Sequence, residues 1–192
     1  TMAAQRADAA AEALNAQLQR IGDLLASLAA KGGGKAGGGG ALGLAAKAFN
    51  QIDGLEQLAA YGMEGRTRWV MRPADKGPIL FPKGVHFLPT DTAGTEPRLR
   101  LGAPFQLVQE SRRWTPVSLT VNGASKAGTA LIVAFVRSDA FQTSLAAAGN
   151  DAAMFTDQGI LAAAEPAANA PVGASFLDAP GFRLIGDGEA RA

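Results

Sequence analysis

Three strand-like runs lie close together in the stretch from Leu99 to Val136, and they constrain the fold more than any other part of the chain. In order they read RLRLGAPFQLVQE, PVSLTVN and ALIVAFV. They are the densest concentration of residues that favour extended backbone. The sequence therefore predicts that these runs form the centre of a β-structured core.

The second run alternates apolar and polar residues, with Val117, Leu119 and Val121 at every second position. A period of two places these residues on one face of a strand. The expectation is an antiparallel sheet with one face on the core and the other in water. The run from Ala130 to Val136 does not alternate, which predicts a strand buried on both sides.

A chain of 192 residues has room for one sizeable domain with extensions. Hydrophobic residues make up 47% of it but aromatic residues only 6%, so bulky core residues are confined to a few segments. The absence of cysteine excludes disulfides, thiolate nucleophiles and cysteine-based zinc sites.

The net charge of +1 is unevenly distributed. Residues 1–59 carry five basic and five acidic groups, residues 60–138 eleven and five, and residues 139–192 two and seven. A basic middle and an acidic tail can attract each other within one chain or between neighbouring chains. Two independently solvated surfaces are the alternative.

Residues Ala3 to Ala30 predict a long helix, because they are strong helix formers without proline. Its apolar positions alternate at spacings of four and three, a heptad pattern typical of a coiled-coil seam. These positions are Ala7, Ala11, Leu14, Leu18, Ile21, Leu25 and Leu28. We predict that Leu14, Leu18, Ile21, Leu25 and Leu28 form an oligomer contact. A helix that packs on its own domain, or folds back on the next helix, is the alternative.

A glycine-rich linker, KGGGKAGGGG at residues 31–40, ends this helix. The linker formally matches the glycine pattern of dinucleotide-binding sites. That pattern normally follows a strand, whereas here it follows a helix, so no nucleotide site is predicted. Apolar residues at spacings of three and four predict a second helix from Leu42 to Tyr61. The two helices form either a hairpin or two separate contact surfaces.

Short strands are predicted at Thr67–Met71, Ile79–Phe81 and Val85–Leu88, with prolines between or beside them. With the three runs described above they make about six strands, a number that favours a sandwich or small barrel. The predicted fold class is α+β. It comprises a helical anchor at 1–62 with its linker at 31–40, an antiparallel β-sandwich or small barrel at 63–138, and an irregular Ala/Pro/Gly-rich extension at 139–192.

After Val136 the composition changes, and residues Ser138 to Ala148 predict a short helix. Two apolar patches, Ala174–Leu177 and Phe182–Ile185, predict a terminal hairpin or an arm that folds only against a neighbour. No apolar run approaches the roughly 20 residues needed to cross a bilayer. Asp8 and Glu12 interrupt the N-terminal alanine-rich stretch, so no signal peptide is predicted.

No catalytic motif occurs in the sequence. The single histidine, His86, lies in a strand-like run without a nucleophile elbow anywhere in the chain, and a structural or surface role is favoured. Four carboxylates are candidates for a glycosidase pair, but no spacing places two of them together. They are Asp75, Asp91, Glu96 and Glu110. We predict no enzyme activity, cofactor or metal.

Arginines concentrate in the basic middle of the chain, near Trp69 and Trp114. Arginine beside aromatic residues is typical of polyanion binding. Pairing with acidic groups of another subunit, or simple solvation, is favoured over nucleic acid. The candidate polyanion or inter-subunit contacts are Arg66, Arg68, Arg98, Arg100, Arg112 and Arg113.

The order of parts resembles accessory structural proteins of tailed-phage virions, which join an N-terminal helical anchor to a small β-sandwich. The resemblance covers Phe81 to Val136, through FPKGVHFLPTDTAGTEPRLRLGAPFQLVQE, WTPVSLTVNGAS and GTALIVAFV. It implies a non-enzymatic virion component at the neck, tail or capsid surface.

We therefore expect an assembly protein that contacts itself and other structural proteins of a particle, located in the virion if the resemblance holds. Otherwise it would be a soluble cytoplasmic chain without a membrane partner. A glycan-binding module or adhesin is the first alternative, and a carboxylate-based hydrolase is the second.

Overall fold

The computed structural model describes residues 2–31, 39–63, 65–80, 98–107, 111–121, 129–146, 152–156, 161–165 and 173. The helices are α1 (Met2–Ala30), α2 (Gly39–Gln51) and α3 (Gln142–Ala146), with short 3-10 helices at Ala74–Lys76 and Ser138–Phe141. The strands are β1 (Leu55–Gly62), β2 (Thr67–Met71), β3 (Leu99–Leu101), β4 (Phe105–Gln106), β5 (Arg113–Thr120), β6 (Thr129–Arg137), β7 (Ala152–Phe155) and β8 (Leu161–Glu165). The predicted α+β class is confirmed.

Strands β1 to β6 form one antiparallel sheet in the order β2-β1-β6-β5-β3, and β4 pairs with β5 as well. Strand β6 is central: its Ile132 lies opposite Ala60 of β1 and Leu119 of β5. The sheet is open, with β2 along one edge and β3 and β4 along the other. Strands β1 to β6 therefore form one open sheet, which is not closed into the predicted small barrel. Strands β7 and β8 pair antiparallel in a separate two-stranded sheet, and the described strands do not show the predicted sandwich.

Pro116 explains why the predicted run RLRLGAPFQLVQE forms two short strands. The Pro116 carbonyl accepts a hydrogen bond of 2.8 Å from the Gly102 amide, so this residue directs its backbone polar groups toward the outer edge. Proline lacks the N–H that a continuous partner strand would require on that side. Strand pairing is accordingly interrupted between Leu101 and Phe105.

One face of the sheet packs beneath the helices. Ile21 and Leu25 of α1 are fully buried against Leu58, Val117 and Ile132 of the strands. Leu28 of α1, and Ala45 and Ala48 of α2, extend the same cluster. Burial of aliphatic area supplies most of the favourable free energy of such a core. We call this surface of the sheet the helix face.

The opposite face, here called the second face, is also covered. Its buried cluster includes Tyr61, Trp114, Val133 and Phe135, with Phe105 packed against them. The Phe105 ring stacks on Trp114 at a centroid distance of 5.9 Å and meets Phe135 edge-on at 5.7 Å. The expectation that this side of β5 faces water is therefore wrong, because the chain brings its own aromatic cover to it.

A side-chain amide holds residues 77–80 over the second face. The Leu80 amide donates a hydrogen bond of 2.7 Å to Gln57 Oε1, and Gln57 Nε2 donates one of 3.0 Å to the Leu80 carbonyl. Both residues are buried. The Gln57 amide thus pairs with backbone as a neighbouring strand would, which satisfies polar groups that would otherwise be costly to bury.

The predicted second helix ends earlier than expected. Helix α2 stops at Gln51, and residues 55–62 form a strand in the interior of the sheet. Gly54 separates the two with φ of +73°, and a Cβ there would collide with the Ala140 side chain. Helix propensity in the sequence LEQLAAY is overridden because both edges and both faces of β1 find partners.

The sheet crosses the domain boundary predicted at residue 62, since β1 pairs with β2 and β6 on the far side of that boundary. The predicted extension also joins the same core through Phe141, Leu145, Met154 and Ala162. The predicted short helix is present as a 3-10 turn followed by α3. The predicted strand at Val85–Leu88, the terminal apolar patches and most of the glycine linker lie outside the described residues.

Candidate functional site

The predicted oligomer contact on α1 lies largely against the chain's own sheet. Ile21, Leu25 and Leu28 are buried in the core, while Leu14 and Leu18 are half-buried and pack against it. This is the arrangement named above as the alternative, a helix packed on its own domain. The contact with other subunits stays a prediction, and these three buried residues are not accessible to it in the folded chain.

The six predicted arginine contacts do not form one patch. Arg66 and Arg68 lie at the start of the edge strand β2, and Arg98 and Arg100 lie at the opposite edge beside β3. Four strand spacings separate these edges, which is about 19 Å. Arg112 and Arg113 lie at the other end of the sheet, at the start of β5. A single polyanion groove along all six is therefore not formed.

A buried charged cluster gathers at the end of the sheet where β1 and β5 begin and β2 and β6 end. Neighbouring antiparallel strands start and stop side by side, so this end brings together residues far apart in sequence. Glu56 occupies a bulge between β1 and β6, and Arg72 directly follows β2. Arg112 directly precedes β5, and Arg137 is the last residue of β6. We call these four residues, with Trp114, the Glu56 cluster.

The Glu56 carboxylate is the centre of this cluster. Arg72 Nη2 lies 3.2 Å from Glu56 Oε2, and the Trp114 indole donates a hydrogen bond of 2.9 Å to the same oxygen. Arg112 Nη1 and Arg137 Nε approach Glu56 Oε1 at 3.8 and 3.9 Å. Three guanidinium groups thus lie within ion-pair distance of one carboxylate.

Burial makes this arrangement costly to form and costly to disrupt. The Glu56 and Arg72 side chains are only 4% and 3% exposed. Taking two charges out of water costs several kcal/mol per ion, roughly, before their attraction offsets it. The Arg72 guanidinium also donates to the carbonyls of Lys76 and Gly77, which fixes its plane. Glu56 and Arg72 therefore form a buried, low-dielectric pair, and Arg112 and Arg137 connect this pair to the surface.

Sequence reasoning missed this site because Glu56 lies inside the segment predicted as helix. On that helix Glu56 falls on the polar side and suggests only solvation. Arg72 and Arg137 stood outside the predicted contact set, although each comes directly at or after the end of a strand. The pairing of Glu56 with Trp114 spans 58 residues and has no local signature.

A concave feature away from the Glu56 cluster lies between α1 and the segment around α3. This cavity of about 250 Å³ is lined by Gln17, Arg20, Asp53, Thr143 and Ser144, among others. Gln17 Nε2 donates to the Ala140 carbonyl at 3.3 Å, and Ser144 donates to Gln17 Oε1 at 2.9 Å. Its polar lining groups are mostly engaged with each other or exposed to solvent, so it presents no fixed set of free donors.

Of the residues considered for catalysis, the described part of the chain includes Asp75 alone. Asp75 lies exposed on the 3-10 turn after β2, and His86, Asp91, Glu96 and Glu110 lie outside the described residues. In the described part of the chain, no group of three or more His, Cys, Asp or Glu residues is placed to hold a metal ion. Nor do the described helices include one that is long and apolar enough for a membrane span.

Comparison with models of known protein families, with curated protein sequences and with solved structures found no match to this chain.

Proposed function

We propose that this chain is a non-enzymatic structural protein that assembles with other copies of itself and with other structural proteins of a larger particle. The sequence resemblance of residues 81–136 makes a tailed-phage virion the particle class to test first. The contact element in this proposal is the first part of α1, up to Glu12, and not the leucine-rich part predicted from the sequence.

The observation that carries the proposal is the length of α1 relative to the sheet beneath it. Its 29 residues span about 43 Å, whereas the nine residues of β6, the longest strand, span about 30 Å. Of residues 4–12, only Ala10 is buried, and the other eight are exposed. The helix therefore continues beyond most of its own support.

A helical segment draws most of its stability from packing an apolar face, and in this segment the described burial is confined to Ala10. Ala7 and Ala11 continue the heptad pattern of α1 and are exposed. Their small side chains let a second helix approach closely. A partner helix on this side would cover the part of the pattern that the sheet leaves bare.

The test places charge on this side of the segment. Ala7→Glu with Ala11→Glu adds two negative charges to the proposed contact. Gln5→Glu with Ala9→Glu adds the same charge to the opposite side of the same turns, with similar helix propensity. Mass by light scattering, with circular dichroism for folding, compares both with the parent chain.

We expect the parent and the control pair to form the same assembly, and the Ala7 and Ala11 pair to remain monomeric and folded. A parent chain that is monomeric at high concentration, or three chains that assemble alike, would overturn the proposal. The substitutions Leu18→Asp and Leu25→Asp are unsuitable here, because Leu25 belongs to the chain's own core.

A further inference from the structure

The Glu56 cluster contains more hydrogen-bond donors than acceptors. Each guanidinium carries five N–H groups, so Arg72, Arg112 and Arg137 together present about fifteen. Among the described residues, the acceptors in reach are the carboxylates of Glu56, Asp53 and Asp139 and the carbonyls of Lys76 and Gly77. The Trp114 indole already donates to Glu56 Oε2, which leaves this carboxylate fewer acceptor positions for the arginines. Among the described residues, hydrogen-bond donors therefore outnumber acceptors at this site.

Two of the unused donors are cut off from solvent. Arg72 Nη1 and Arg137 Nε are buried and make no hydrogen bond. The Arg72 donor is the clearer example, because only 3% of this side chain is exposed. A buried charged donor without a partner costs free energy, so a native structure normally supplies one. The Arg137 Nε atom lies 3.2 Å from Asp139, but not in hydrogen-bonding geometry.

The cluster also reaches the surface. Arg112 is 59% exposed, and its ion-pair partner among the described residues is Glu56 at 3.8 Å, beyond hydrogen-bond distance. Arg137 is 35% exposed, and Asp53 and Asp139 beside it are largely in solvent, where their charges are screened. An entering ligand thus meets the two partly exposed guanidinium groups first and the buried Arg72 behind them.

We propose that the Glu56 cluster binds a tetrahedral oxyanion, a phosphate or sulfate group, between Arg112, Arg137 and Arg72. Such a group brings several acceptor oxygens to a site that is short of them, and guanidinium groups match its geometry. Glu56 and the Trp114 indole hold the arginines in place and are not displaced. This inference is independent of the assembly function proposed above.

Isothermal titration calorimetry of the full chain with inorganic phosphate tests the proposal, with sulfate, acetate and chloride at equal ionic strength as the other arms. Arg112→Gln removes the exposed guanidinium, and we expect the variant to keep its fold. Arg113→Gln is the matched control: it removes an adjacent arginine on the other side of β5, outside the cluster. Thermal melts with and without phosphate check that each variant folds.

We expect saturable phosphate binding in the parent and in Arg113→Gln, and binding about tenfold or more weaker in Arg112→Gln, because a charge-assisted contact is lost. Stronger binding of sulfate would assign a sulfated ligand, and stronger binding of acetate would overturn the tetrahedral group. Equal responses to phosphate and chloride, equal binding by both variants, or no binding at millimolar phosphate would overturn the site itself. None of these results would bear on assembly through α1.

Discussion

The two faces of the central sheet are buried by different means. The helix face is covered by α1 and α2 through aliphatic side chains such as Leu25 and Leu58. The second face is covered by aromatic rings and by polar contacts, in which Gln57 pairs with backbone and Glu56 pairs with Arg72. Aliphatic burial tolerates small errors of geometry, whereas each buried polar group requires its partner. The second face should therefore be the more sensitive to single substitutions that remove one partner.

The largest effect is expected at the Glu56 cluster. Glu56→Ala should lower the free energy of unfolding by about 3–5 kcal/mol, because it leaves the Arg72 charge buried without its counter-ion. Replacing both residues, Glu56→Leu with Arg72→Met, should recover part of this loss. Urea unfolding of the two variants measures it. If the double variant is no more stable than Glu56→Ala, the loss does not come from the unpaired charge.

The helix face offers the matched test. Leu25→Ala should cost about 2–5 kcal/mol, since it opens a cavity under α1. Leu42→Ala on α2, where the side chain is exposed, should change stability by less than about 0.5 kcal/mol. Thermal and urea melts compare them. Equal effects at the two leucines would mean that α1 does not cover the sheet as described.

A smaller loss of stability is expected at Gln57, whose side-chain amide makes the hydrogen bonds that a neighbouring strand would otherwise make. Gln57→Leu keeps a side chain of similar volume but leaves the Leu80 amide and carbonyl without their partners on Gln57. The free energy of unfolding should fall by about 1–3 kcal/mol. Gln19→Leu on the exposed side of α1 is the control and should be nearly neutral. Hydrogen exchange at the Leu80 amide should accelerate in Gln57→Leu alone. Unchanged exchange would show that residues 77–80 are held by other contacts.

The smallest effect concerns Tyr61 on the second face, where burial raises the pKa of the phenol from 10.0 to about 12. As the pH rises, the phenol of the unfolded chain therefore loses its proton at a lower pH than the phenol of the folded chain does. The contribution of Tyr61 is therefore fully present below pH 10 and lost as the pH rises toward 12. Tyr61 is the single tyrosine of the chain, so ultraviolet absorbance of tyrosinate reports it alone. A midpoint near 10 in the folded protein would contradict its burial, and melts of Tyr61→Phe should show a smaller loss of stability in this pH range.

The same contrast explains what the sequence could predict. The sequence predicts strand β2 with its observed bounds. Strand β5 and the helical stripe of α1 follow from periodicity, and β6 follows from a continuous apolar run; both patterns report aliphatic burial directly. The second face was missed because Gln57 and Glu56 look solvent-facing until Leu80, Arg72 and Trp114 are placed beside them. Their partners lie between 16 and 58 residues away. Polar burial depends on tertiary neighbours, and periodicity does not carry that information.

The pairing of β1 with β6 has a consequence for how the chain folds. Leu55 lies opposite Val136, so the centre of the sheet joins segments about 80 residues apart, and closing such a loop slows folding. During synthesis at about 5–20 residues per second, α1 emerges on the order of ten seconds before β6 is available. Throughout that interval the leucines of α1 have no sheet to cover. A nascent chain therefore presents to chaperones and to neighbouring nascent chains an apolar helix that the folded protein conceals.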